Sequence, residues 1–150
     1  MKSSWFAVAV HALALLSQSN EGYSSAYIAA SVNTNPAFLR RVLAVLGRAN
    51  LVESREGRDG GYRLARPADQ ITLAEVYRVT SRGETLLERP SDTSPLCPIG
   101  SGIPDAFAEI VDSVERNVEL ELSNRTIADL AKSALAYGIT GSRREVLPME

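Results

Sequence analysis

The sequence predicts a mainly α-helical chain with one small β-hairpin, and three observations carry that expectation. Apolar residues recur at three- and four-residue spacing in several separate stretches. Residues with side-chain oxygens suited to helix caps stand before most of those stretches. One glycine-rich string, Gly57-Arg58-Asp59-Gly60-Gly61, lies between two short runs of strand character. With 150 residues, 45% of them hydrophobic, the chain has room for one core, or for one small domain with an appendage.

The first helix is expected over residues 3–17, with Ser4 as its cap and Phe6, Val10, Leu13 and Leu16 at helical spacing. This apolar stretch follows Lys2 and superficially resembles a signal peptide. It falls far short of the ~20 apolar residues of a membrane span, and no small-x-small cleavage site follows before Glu21. A core helix and no membrane contact are therefore expected. The polar break at residues 18–22 ends in glycine. A short helix over residues 23–32 follows, capped by Ser24 or Ser25, with Ile28 and Val32 facing inward.

Asn33-Thr34-Asn35-Pro36 reads as a turn that opens a third helix over residues 36–49. Asn35 can cap it, and Pro36 at the first helical position gives up an N–H that had no partner there. Phe38, Leu39, Val42, Leu43 and Leu46 form its apolar stripe, and Arg40 and Arg41 lie off that stripe. Asn50 stands where a helix often ends in a left-handed residue. Strands are expected over residues 51–55 and 62–65, with Pro67 stopping the second. Thr72-Leu73-Ala74-Glu75 is a capping-box pattern opening a helix to about Arg82.

Residues 84–104 contain four prolines and read as a linker, a candidate sensor loop. A long helix is expected to begin near Pro104 and to continue beyond Leu120. Ile103, Phe107, Ile110, Val114 and Val118 make one apolar seam along it. Such a seam needs a cover. A second copy of the chain is the economical one, and folding back on the N-terminal domain is the alternative. Thr126-Ile127-Ala128-Asp129 is a second capping box, before a shorter helix to about Ala136. The expected divisions are residues 1–83, a linker at 84–104, dimerisation helices at 105–136 and a frayed tail at 137–150.

Helix, helix, turn, helix and a glycine-tipped hairpin is the order of a winged helix-turn-helix, here with C-terminal dimerisation helices appended. Its charge fits double-stranded DNA. Residues 1–83 hold ten Lys/Arg against six Asp/Glu, a balance of +4, and residues 84–150 hold six against twelve, a balance of −6. Seven arginines and three acids fall between Asn33 and Arg66. Arginine suits guanine edges and phosphates alike. The competing readings are a winged helix that docks proteins without DNA, and an enzyme. A protein-docking surface does not need that arginine excess. No nucleophile–base pair, metal-ligand cluster or phosphate-binding loop supports catalysis, and no catalytic residue is assigned.

Leu51-Val52-Glu53-Ser54-Arg55 followed by Gly57-Arg58-Asp59-Gly60-Gly61-Tyr62-Arg63-Leu64-Ala65-Arg66 resembles the signature of the Rrf-two family, the IscR-like winged-helix regulators. Residues 34–46 are similar to that family's recognition helix, and residues 71–76 to the helix after its wing. The likeness covers roughly residues 1–135. It implies a bacterial homodimer, often a transcriptional repressor, whose linker carries the sensor; the single cysteine fits a reducing compartment, and a cytoplasmic protein is expected. The likeness also implies that Asn35, Ala37 and Arg40 read base edges and that Arg58 acts from the wing. Ser25, Thr34, Arg41, Arg55 and Arg63 complete the expected DNA-contacting set.

Two departures stand out. Glu56 is found where the family usually has arginine before the first wing glycine, which is expected to redistribute the wing contacts and alter the recognised sequence. Asn50 is found where the family prefers glycine, a mild and tolerable change. A third concerns metal. Cluster-binding members carry three linker cysteines, and this chain has Cys97 alone, so no iron–sulfur cluster and no metal site is expected. His11, the single histidine, is expected to pack rather than ligate. Cys97 is a candidate redox sensor, the bland alternative being an inert small hydrophobe, with nothing but the distant Arg89 expected to lower its pKa. A small-molecule effector is an equally open signal.

Overall fold

The computed structural model describes residues 5–57 and 60–140. The elements run α1 (Trp5–Leu16), α2 (Ser25–Val32), α3 (Pro36–Arg48), β1 (Val52–Arg55), β2 (Gly61–Leu64), a 3-10 turn at Ala68–Gln70, α4 (Leu73–Ser81), α5 (Pro98–Ser123) and α6 (Ile127–Thr140). The fold is therefore mainly helical with one two-stranded antiparallel hairpin, as the sequence predicts. No helix among the described residues is long and apolar enough to cross a membrane.

The core gathers around α1. Its most buried residues are Ala9, Ala12, Leu13 and Leu16, whereas Phe6 and Val10 are only half-buried. The small alanines let neighbouring helices approach closely, so the buried face keeps Leu13 and Leu16 of the side chains that the spacing singles out and leaves Phe6 and Val10 at its edge. Leu39, Val42, Leu43 and Leu46 from α3, Ile28 from α2, and Ile71 and Val76 complete this core. Each large aliphatic side chain fully buried in this way contributes roughly 1.5–3 kcal/mol.

Caps set the helix limits. The Ser24 hydroxyl accepts from Tyr27 N–H (3.2 Å) and so caps α2, which leaves Ser25 as its first residue. The Asn35 side chain accepts from Ala37 and Phe38 N–H at the start of α3. Asn50 takes the left-handed conformation (φ 57°), and Leu51 N–H returns to the Leu46 carbonyl to close the helix. Thr72 caps α4 through Glu75 N–H, but the Glu75 carboxylate turns to Arg66 (2.5 Å) instead of completing a reciprocal box. Thr126 and Asp129 do form the full reciprocal box.

Three features differ from expectation in the C-terminal part. Helix α5 begins at Pro98 rather than near Pro104, which lies inside it. Pro104 has no N–H for the Gly100 carbonyl, and the Thr93 hydroxyl donates to that carbonyl at 2.6 Å. Helix α6 continues to Thr140 and packs on α1 and the 3-10 turn, with Ile127 fully buried in the main core. A short antiparallel bridge holds it there: Leu73 N–H donates to the Arg125 carbonyl, and Ile127 N–H to that of Ile71, both at 2.9 Å.

The seam expected on α5 is divided. Val111, which lies just outside it, is the one fully buried residue of the helix. Phe107, Val114 and Val118 are half-buried, while Ile103 and Ile110 stay exposed. Polar contacts fasten α5 to α4 and the linker. Tyr77 donates to Glu115 (2.9 Å), Arg78 pairs with Glu119, Leu86 N–H donates to Glu115 (2.6 Å), and Arg89 pairs with Asp112 (2.7 Å).

Candidate nucleic-acid interface

The amphipathic pattern of α3 decides what it presents. Burying Leu39, Val42, Leu43 and Leu46 leaves Ala37, Arg40, Arg41, Ala44 and Arg48 exposed on the other side. Alanine at two of these positions keeps the surface low, and three arginines make it cationic. Asn35 is exposed at the head of the same helix, with its side-chain oxygen engaged in capping, so only its amide N–H groups could reach a base. Thr34 sits in the turn, half-buried, where its N–H donates to the Ala29 carbonyl. Ser25 opens α2 and is half-buried.

The hairpin stands beside this helix pair. Its register places Val52 opposite Leu64, Glu53 opposite Arg63, Ser54 opposite Tyr62 and Arg55 opposite Gly61. Arg63 is matched across the strands by Glu53, Nε to Oε1 at 2.5 Å. Arg55 is exposed and has no ion pair among the described residues. Arg58, also expected to contact DNA, lies outside the described residues.

What fixes the hairpin to the helices is a feature that the sequence reading missed. Tyr23, in the break before α2, forms an antiparallel bridge with Tyr62 on β2. The approach is so close that a Cβ on Gly22 would sit 2.1 Å from the Tyr62 carbonyl oxygen, and one on Gly61 would sit 2.4 Å from that of Tyr23. Tyr23 stacks on Tyr27 with ring centroids 4.7 Å apart, and burial raises the pKa of its phenol, with Tyr27 adding to the rise. Gly22 read from sequence only as the end of a polar break.

A chain of aromatic and cationic contacts reaches α3 from another side. Arg41 lies over the Phe38 ring (5.5 Å), Phe38 meets Trp5 edge to face (5.2 Å), and Arg82 lies over Trp5 (5.0 Å). The remaining charges sort clearly. Arg63, Arg66, Arg78, Arg89 and Arg125 each pair with a carboxylate. Among the described residues Arg40, Arg41, Arg48, Arg55, Arg82 and Arg116 pair with none, and four of these six lie on α3 and β1.

Cys97 is exposed and occupies the cap position of α5. The backbone N–H groups of Gly100 and Ile99 lower its thiol pKa. That corrects the expectation that only Arg89 could do so, since Arg89 is held by Asp112. His11 shares a hydrogen bond with Ser31 (3.2 Å) between α1 and α2, and burial lowers its pKa.

The profile of the Rrf2 family, described as "Iron-dependent Transcriptional regulator", matches residues 2–133. The chain is 41% identical over 130 residues to YwnA of Bacillus subtilis (strain 168), which bears the name of an HTH-type transcriptional regulator. That match spans 87% of this chain and 96% of YwnA. Among solved structures, T. potens IscR superposes with a TM-score of 0.66 at 28% identity, covering 89% of this chain and 88% of that one. CymR of B. subtilis gives a TM-score of 0.61 at 25% identity, covering 89% and 96%. The iron of the family description does not fit the donors present here. One cysteine and one histidine fall short of a cluster's ligand set, and no group of three His, Cys, Asp or Glu stands together among the described residues. With a winged helix-turn-helix in place and a profile match over nearly the whole chain, this protein belongs to the Rrf2 family and is a transcriptional regulator rather than an enzyme.

Proposed function

We propose that the chain acts in the cytoplasm as a homodimeric repressor, reading double-stranded DNA with the exposed face of α3 and gripping the backbone with its hairpin. The observation that carries this reading is the grouping of free arginines: among the described residues all three on α3, with Arg55 on β1, have no carboxylate partner, whereas of the seven others only Arg82 and Arg116 have none. Unpaired cations on a helix narrow enough for the major groove are what phosphate neutralisation requires. In this reading Arg40, Ala37 and the Asn35 amide face base edges, and Arg41, Arg55 and Arg58 meet phosphates. Ser25 and Thr34 serve the backbone from the α2 side. Arg63 contributes least, because Glu53 already holds it.

A second copy is proposed to cover the apolar residues left open on α5, Ile103 and Ile110, with Phe107, Val114 and Val118 beside them. Two copies also match the two half-sites that small DNA readers generally use. The signal is proposed to enter at residues 84–104. Cys97 supports an oxidant, being an exposed thiol of lowered pKa, and a small-molecule effector is the other source.

Fluorescence anisotropy with duplex fragments from upstream of the protein's own gene, against a scrambled duplex at several salt concentrations, tests the reading. Binding that weakens steeply with salt and favours one fragment is expected. A folded sample with no salt-sensitive affinity for any duplex would leave the hairpin and α3 as a protein-docking surface.

A further inference from the structure

Four side chains from two helices and the end of a third stand in one line: Arg82, Trp5, Phe38 and Arg41. The line begins where the linker begins. Arg82 is the residue that caps the C-terminal end of α4, in the left-handed conformation (φ 54°), and Gly83 after it also has positive φ (77°). It ends on the exposed side of the recognition helix. Trp5, the only tryptophan of the chain, is its middle, and the turn carrying Trp5 is itself held from the next position. Phe6 meets Tyr77 edge to face at 5.5 Å, and the Tyr77 hydroxyl donates to Glu115 on α5. The Trp5 ring is thus seated against a fixed turn, with a cation over it on the linker side and Phe38 against it on the DNA side.

We infer that Trp5 is a positioning residue for DNA recognition: through Phe38 it fixes the setting of Arg41, and through Arg82 it ties that setting to the root of the linker. The inference rests on α3 being the DNA-reading helix. The physical argument is one of entropy and charge. A free arginine on an exposed helix loses rotamer freedom when it meets a phosphate, whereas one already laid over a ring loses less. An exposed guanidinium–ring contact is itself modest, so the effect is tuning, not an on–off switch. Arg82 holds the opposite end of the line, where a rearrangement of residues 84–104 would first be felt.

The test is a set of double-mutant cycles on the full chain, with binding read by anisotropy. The probe is a duplex that the wild-type protein has itself selected from a random pool. Trp5→Leu should weaken binding by roughly two- to fivefold, and Trp5→Phe by less. Arg41→Ala should weaken it more, and the Trp5→Leu/Arg41→Ala double variant should bind no worse than Arg41→Ala alone. Trp5→Leu, although it changes no charge, should also flatten somewhat the dependence of log Kd on log salt, because an unseated Arg41 meets its phosphate in a smaller share of the complexes; partial unfolding would leave that slope unchanged. Arg82→Gln, an exposed change, should cost little further once Trp5 is leucine. Losses that multiply in the double variants, with the salt slope of Trp5→Leu equal to wild type, would overturn the inference and leave α3 as the DNA reader. A wild-type protein that selects no duplex at all would overturn the reading of α3 and this inference with it.

Discussion

Tyr23 and Tyr62 exchange both of their backbone hydrogen bonds, Tyr23 N–H to the Tyr62 carbonyl at 3.0 Å and Tyr62 N–H to the Tyr23 carbonyl at 2.8 Å. This pair places the hairpin relative to α2 and α3, and it is possible only because Gly22 and Gly61 bring no Cβ into the gap. Gly22 also has φ +88°, a region that side-chain-bearing residues rarely adopt. Gly22→Ala should therefore destabilise the fold by about 1–3 kcal/mol and lower the melting temperature. Gly61→Ala, clashing from the other side, should act in the same direction. A calorimetric scan in which either variant melts with wild type would show that the two backbones can part at no cost.

Arg40 and Arg58 are expected to fail differently. Arg40→Ala should weaken binding to the preferred duplex by ~1–3 kcal/mol and relax sequence choice, because a base-edge contact is lost. Arg58→Ala should weaken all sequences alike and reduce the salt slope, as a phosphate contact does. Equal losses on preferred and scrambled duplexes for Arg40→Ala would remove it from the base-reading set.

The Cys97 thiol faces the N–H groups of Gly100 and Ile99, so its thiolate is favoured. Alkylation by iodoacetamide, followed against pH, should reach half its maximal rate below the ordinary pKa of an exposed cysteine. Peroxide or diamide should release wild-type protein from DNA in a gel-shift assay, and Cys97→Ser should abolish that response. A serine variant that still lets go on oxidation would send the search for the sensor elsewhere.

Burial raises the Tyr77 pKa, the hydrogen bond and charge of Glu115 raise it further, and together they take it to about 12. A folded pKa above the unfolded one favours the folded state while the phenol is protonated. That contribution is complete below the ordinary tyrosine value of about 10 and is lost as pH rises through about 12. The Tyr77 phenolate band should therefore appear late in an alkaline ultraviolet titration. Glu115→Gln should move it to lower pH, and Tyr77→Phe should cost roughly 0.5–1.5 kcal/mol at neutral pH. A Tyr77 band insensitive to Glu115→Gln would show that the two do not interact in solution.

The parts of this fold that sequence reveals are those governed by neighbours along the chain. The stripe of α3, its Asn35 cap, the left-handed Asn50 and the paired hairpin follow from spacing and local hydrogen bonding, and all are present. The start of α5 was hidden because proline ordinarily marks a first turn, and the remedy for Pro104 comes from Thr93 in an irregular segment upstream. The bridge between Tyr23 and Tyr62 was hidden because Gly22 looks like any loop glycine until the approaching carbonyl is known. The candidate site followed the same rule. The exposed arginines of α3 were legible, but the neutralisation of Arg63 by Glu53 needed the strand register, and the line from Arg82 to Arg41 needed the tertiary fold.

The seating of Ile127 against α1 bears on how the chain is born. Helix α1 is made before α6, and its apolar surroundings are complete only once α6 has been made too. A nascent chain interrupted anywhere before residue 127 carries α3 without the segment that completes the core it packs in. A chain cut there should therefore open more readily and be more sensitive to proteolysis than the whole one.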